Sequence, residues 1–207
     1  MEQVNEMLKF DEPMLIRRLA SLPRRARVAF AAACAERMAP AYRLFAKEES
    51  DHISILEQAL GHLWSDPEPR TPTNALESEI EDVMGIIPQE DDLAGVWSQE
   101  ATNAQNAGMA VTYALRTRLC GDVQEAAWAA RVAYEALDNF VINKEHIDTT
   151  LPEGEARVVS HHLVQAELAR QQADLDDLGE TSQGSQEAVF ERVGQRAKAD
   201  ATRFFQP

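Results

Sequence analysis

Apolar residues recur at alternating gaps of three and four along most of this 207-residue chain. That spacing places them on one face of a helix with 3.6 residues per turn, and no strand-like alternation of useful length competes with it. Val28, Ala31, Ala35, Met38, Tyr42 and Phe45 form the first long stripe. It crosses Pro40 without losing phase. One helix bent at Pro40 is therefore expected rather than two helices, because proline removes a single backbone hydrogen bond and presses on the preceding turn. A short helix over about Asp11 to Ala20 should precede it. Ile53, Leu56, Leu60 and Leu63 mark the next helix, with Ser50 or Asp51 placed to cap it. The segment SDPEPRTPT forbids helix. A helix over about Asn74 to Met84 follows, with Leu76, Ile80 and Val83 inward and Asn74 and Glu77 at capping-box spacing.

Two long helices come next. Trp97, Ala101, Ala104, Gly108, Val111, Leu115 and Leu119 form a seam of mostly small residues that admits a close neighbour. Gly121 and Asp122 turn the chain into Val123, Ala127, Ala130, Tyr134, Leu137 and Val141, and so short a connection makes the two helices antiparallel neighbours. Ala156, Val159, Leu163, Ala166, Ala169 and Ala173 read as one further helix closed by Gly179. Past the polar linker GETSQGS, Phe190, Val193, Ala197, Ala201 and Phe204 mark a last one. The expected fold is all-α: a single-domain bundle of seven or eight helices at residues 1–180, with a linker and an added C-terminal helix at 181–207. The 32 alanines against 9 glycines and 9 prolines agree with this. A chain of this length buries roughly 70% of its extended surface, so the core needs neither disulfide nor metal.

Charge bounds the function. Twenty Lys and Arg stand against 35 Asp and Glu, for a net charge of −15, which repels nucleic acid and anionic membranes. The excess is uneven. Residues 1–47 carry nine basic and five acidic side chains, leaving −19 on the remaining 160 residues. Between residues 66 and 100 ten acids face one base, Arg70. Such a stretch is either a solvated, solubilising face or a surface that attracts a cationic partner. Asp174, Asp176 and Asp177 crowd a helix C-terminus, where the macrodipole disfavours negative charge, so they mark an exposed, fraying end or a second contact for a basic partner.

Catalytic signatures are missing from the chain: it contains no GxGxxG, no Gly-Lys-Ser/Thr, no CxxC, no HExxH and no GxSxG. No cofactor and no catalytic residue is assigned. Glu49 and His52 have the spacing of half a di-iron site, yet the residues three before His62, His146, His161 and His162 are Ala59, Asn143, Val158 and Val159, so no metal is expected. Cys34 and Cys120 sit in apolar helical contexts and read as free thiols that pack as small hydrophobes, with a nucleophilic Cys34 as the less favoured reading. No window of about 18 apolar residues and no secretory leader occurs, which points to a soluble, cytoplasmic protein.

The segment FAAACAERMAPAYRLF, with Phe30, Ala32, Glu36, Arg37, Met38, Pro40, Tyr42 and Phe45, resembles the signature of the YjaG-like family of bacterial proteins, domain of unknown function 416. The resemblance continues in IPQEDD, from Ile87 to Asp92, and spans roughly residues 10 to 180. It implies an all-helical fold and an intracellular bacterial setting, and it supplies no activity and no catalytic residues. Glu36 and Arg37 are adjacent, about 100° apart around a helix, so they cannot share one partner. Either of them pairs across to another helix with Tyr42 packed beside the bend, or a small polar pocket opens there.

Two functions from different classes follow. The first is a non-catalytic protein whose acidic surface, Glu90, Asp91, Asp92, Asp174, Asp176 and Asp177, binds a basic protein partner as an immunity protein meets a nuclease toxin, with no nucleic-acid or membrane partner and with a homodimer left open. The alternative is an enzyme or small-ligand binder with a polar pocket near Glu36, Arg37 and Tyr42.

Overall fold

The stripe that crosses Pro40 is one helix. In the computed structural model, which describes residues 7–65, 72–89, 97–180 and 186–203, α2 runs unbroken over Arg24–Phe45 with Pro40 inside it. Around it lie α1 (Glu12–Ser21), α3 (Ser50–Ser65), α4 (Thr73–Gly85), α5 (Gln99–Cys120), α6 (Val123–Glu145), α7 (Pro152–Val159), α8 (His162–Gly179) and α9 (Gln186–Ala201). Among the described residues there are nine helices and no strand.

Nine replaces the expected seven or eight because the stripe from Ala156 to Ala173 is two helices. His161 takes an extended backbone (φ −64°, ψ 137°), and its Nδ1 accepts a hydrogen bond from the Leu163 amide at 3.2 Å, capping α8. The break preserves the phase of the apolar spacing, so periodicity alone passes over it. The inward face is also rotated from the expected one. Ala156 and Ala169 are exposed, while Leu163, Glu167, Gln171, Asp174 and Leu178 point into the protein. Two expected caps differ as well: Gly179 is the last helical residue rather than a left-handed cap, and α4 starts after Pro72 with no side-chain cap from Asn74.

α2 occupies the centre, with 15 of its 22 residues buried. A helix buried on all sides is a core helix, and alanines at most of these positions let α3, α5, α6, α8 and α9 all pack against it. The α5–α6 corner forms as expected: Gly121 adopts φ 72°, and the Asp122 side chain accepts from the Gln124 amide at 2.9 Å. The small residue Gly108 in the α5 seam receives Ile87 instead of a neighbouring helix, since a Cβ there would stand 2.6 Å from Ile87 Cγ1. The C-terminal helix packs its Val189, Phe190, Val193 and Ala197 into the common core. Gly194 lets it approach Trp64, whose Cε3 would lie 3.3 Å from an added Cβ. Most of the linker GETSQGS, and Phe204, fall outside the described residues.

Arginines from the start of α2 close the far end of α5. Arg24 Nη2 donates to the Arg118 and Leu119 carbonyls at 2.7 and 2.8 Å, and Arg27 donates to the carbonyls of Gly121 and Leu22. Helix C-termini leave their last carbonyls without internal partners and carry partial negative charge, so two cations there satisfy both demands. On the other side of the corner Glu125 Oε2 is buried with no hydrogen-bond partner among the described residues. Burial pushes this carboxyl above the usual range, with Arg116 opposing and Asp122 reinforcing the shift.

A carboxyl whose folded pKa is raised weakens the fold once pH climbs past its unfolded pKa, because the unfolded chain then ionises more readily. Glu125→Gln is thus expected to raise the melting temperature at pH 7, with the gain fading below about pH 4, where the carboxyl is protonated in both states. Thermal melts at pH 3.5 and 7 check this, and an equal gain at both would contradict a desolvated Glu125.

Candidate functional site

Adjacent residues Glu36 and Arg37 diverge, as their angular separation on α2 requires, and each finds a partner on a different helix. Trp64 Nε1 of α3 donates to Glu36 Oε2 at 3.0 Å. Arg37, 1% exposed, grips Glu167 of α8 side-on, Nε to Oε2 and Nη2 to Oε1, both at 2.9 Å. Its Nη1 donates to Asp174 Oδ2 at 2.8 Å, and Nη2 also reaches Cys34 Sγ at 3.4 Å. Every guanidinium nitrogen therefore has an acceptor. Glu167 and Asp174 are 0% and 1% exposed.

The cluster extends outward in both directions. Gln171 Nε2 donates to Glu167 Oε1 at 2.9 Å and to the Ala130 carbonyl of α6 at 3.0 Å. Arg196 of α9 donates to Asp174 Oδ1 at 2.6 Å through Nη2 and to Asp177 at 2.7 Å through Nη1, and Arg192 joins Asp177 at 2.9 Å. Opposite charges at this range hold the Arg37 guanidinium well above its ordinary value against a desolvation that pulls the other way. Burial likewise pushes the Cys34 thiol far up. Cys34 is fully buried and its sulfur accepts from Arg37, the setting of a structural thiol rather than of an exposed, activated one.

The remaining signature residues are packing elements. Phe30 and Met38 are fully buried, and Pro40 is half-buried. Tyr42 is fully buried and donates its hydroxyl to the Ile86 carbonyl at 2.7 Å. Burial, with the charge of Glu49 behind it, pushes the phenol up to about 12.

The acidic positions separate into different groups. Glu90, Asp91 and Asp92 lie outside the described residues. Asp174, expected at an exposed and fraying helix end, is instead inside the protein. Asp176 pairs with Arg18 and Asp177 with Arg192 and Arg196, so arginines from α1 and α9 balance the charge that the helix dipole disfavours. Exposed carboxylates line α4 instead, at Glu77, Glu81 and Asp82. Arg18, Arg24, Arg25, Arg27, Arg37 and Arg43 all engage acceptors within the chain, Arg24, Arg27 and Arg37 in its interior and the other three in exposed pairs, so much of the basic excess of residues 1–47 is matched by the chain itself. Among the described residues no three His, Cys, Asp or Glu side chains come together as a metal site, and no helix is long and apolar enough to cross a membrane.

Sequence reading singled out Arg37 and Asp174 separately and missed Glu167, Gln171 and Arg196. The signal was present: Glu167, Gln171 and Asp174 follow gaps of four and three, the same period as the buried leucines beside them.

Comparison with known proteins adds a family. The family described as "Protein of unknown function (DUF416)" matches residues 14–199. The chain belongs to this family. Among solved structures, a DUF416 family protein from Shewanella baltica OS155 aligns with a TM-score of 0.74 at 18% identity, covering 88% of this chain and 92% of that one. That likeness shows the fold. No curated protein matches the chain. The DUF416 match includes all but the last two residues of α9, in keeping with the place of that helix in the core.

Removing one partner from a buried ion pair leaves the others uncompensated, at a cost of about 3–5 kcal/mol. Arg37→Met in this DUF416 protein is expected to lose stability in that range by urea unfolding. A loss below about 1 kcal/mol, typical of exposed pairs, would show that the cluster is wet.

Proposed function

We propose that this DUF416 protein is a non-catalytic cytoplasmic binding protein that holds a basic protein partner, such as a cationic toxin, against an acidic face on α4. The observation that carries the reading is the direction in which charges point. Arg24, Arg27 and Arg37 of α2 engage acceptors inside the fold, whereas Glu77, Glu81 and Asp82 of α4 face solvent. In sequence the same acidic run resumes at Glu90, Asp91 and Asp92. A surface of one sign raises encounter rates with a partner of the other. Asp176 and Asp177, already paired with arginines of this chain, contribute less to such a face. The ligand-binding alternative at Glu36, Arg37 and Tyr42 has weaker support, since these side chains are buried and hydrogen-bonded to one another's neighbouring helices.

The experiment is affinity capture to identify a partner, followed by stopped-flow association of the two purified proteins. Exposed charges are screened over about 8 Å at physiological salt, so association is expected to slow by at least about tenfold between low and high salt, with little change in dissociation. Reversing Glu77 and Glu81 to Lys, or Asp91 and Asp92 to Lys, should slow association while helicity is kept. Association that ignores both salt and these reversals would overturn the reading.

A further inference from the structure

Between α3 and α4 lies a cleft of about 460 Å³ lined by Gln58, His62, Ser78, Glu79, Asp82 and Arg118. Gln58 and His62 stand one turn apart on α3, and Ser78, Glu79 and Asp82 share a face of α4, so helical spacing presents both sets to the same space. The lining is held from beneath. Arg118 of α5 is 2% exposed, and its Nη1 stands 3.6 Å from Glu79 Oε2. Glu79 Oε1 in turn lies 2.7 Å from His62 Nδ1. Glu79 thus orients His62 and is itself fixed by a buried cation.

What this arrangement offers a visitor includes acceptors on both helices: the Gln58 carbonyl oxygen on α3, and the Asp82 carboxylate and the Ser78 hydroxyl on α4. The fixed cation is turned toward Glu79. A volume of this size lies within the range of small-ligand sites, about 300–1,000 Å³. Acceptors spread over two helices suit a planar donor with several N–H groups better than a compact one. Guanidinium carries five N–H donors in a fork and is weakly hydrated, whereas ammonium has three and holds its water more strongly.

We propose that the α3–α4 cleft binds an alkylguanidinium group. The inference rests on the acidic-face reading above in one respect only: it makes an arginine side chain of the basic partner the natural occupant. A small free guanidine would present the same chemistry.

The test titrates the full chain with agmatine, and with short peptides carrying one arginine or one lysine, followed by calorimetry and by amide chemical shifts. Saturable binding of agmatine and of the arginine peptide is expected, with shifts centred on His62 and Ser78 and with the lysine peptide weaker by at least about fivefold. Asp82→Asn should weaken binding by about tenfold or more, the loss expected for a hydrogen bond to a charged group, and Glu79→Gln should weaken it by releasing His62 and removing a negative charge from the base of the cleft. Glu153→Gln, on the exposed side of α7, should leave it unchanged. Asp82 is exposed, so its variant keeps the proposal falsifiable if Glu79→Gln unfolds. Absence of binding, binding that ignores Asp82→Asn, or preferential binding of inorganic phosphate would overturn the proposal. Agmatine binding that Asp82→Asn abolishes, together with partner association indifferent to that variant and to salt, would keep the guanidinium site and remove the protein-partner reading. Salt-sensitive association without agmatine binding would do the reverse.

Discussion

One buried guanidinium sets the register of this fold. Arg37 lies at the centre of the most buried helix, and Glu167 and Asp174 of α8 supply the opposing charges. Stripping water from an ion costs several kcal/mol even after relaxation, so the three side chains are tolerable only when they meet. Such a cluster adds little net stability over an apolar one of the same size. Its effect falls on wrong packings: sliding α8 by one turn along α2 would leave a guanidinium or a carboxylate alone in the interior. Because Asp174 also receives Arg196, the same constraint reaches α9.

The need for such a constraint follows from the composition of α2. Alanines at Ala26, Ala29, Ala31, Ala32, Ala33, Ala35, Ala39 and Ala41 are buried on several sides of the helix. Small side chains let neighbours come close, yet they offer few knobs to fix where along the helix a neighbour sits. Polar keys supply what shape does not. Glu36 marks the height of α3 through Trp64, Arg37 that of α8, and Tyr42 that of the turn at Ile86. The three are spaced along one helix and point to three different elements, so the signature segment works as a set of position markers for the bundle.

This division of labour explains what was legible in the sequence. Elements governed by local chemistry could be read: α2 through Pro40, because the apolar phase continues past it, and the α5–α6 corner, because Gly121 and Asp122 serve the turn and the cap that follows it. The α7–α8 break could not be read, since a histidine imidazole served as the cap and the phase continued across it. The inward face of α8 was misplaced for a related reason. A search for apolar residues follows Ala166, Ala169 and Ala173, whereas the buried face includes Glu167, Gln171 and Asp174, which are buried only because Arg37 and Arg196 meet them. Burial of a charge is decided by its partner, and with that partner 130 residues away in the chain the spacing of Glu167, Gln171 and Asp174 marks a shared face without marking it as buried.

The same logic governs the surface. Counting charges by segment makes the N-terminal quarter a basic region, but Arg24 and Arg27 close helix ends, Arg37 lies in the core, and Arg18, Arg25 and Arg43 meet carboxylates of other helices. Arginines match the buried carboxylates of α8 and the C-terminus of α5 from within. Glu77, Glu81 and Asp82 on α4 face outward instead, and the α3–α4 cleft beside them is built mainly from acceptors. A group brought from outside to complete that pattern has the chemistry the chain already uses in its core, a planar guanidinium set against carboxylate. The recognition inferred at the cleft is thus the internal pairing rule of this protein applied at its surface.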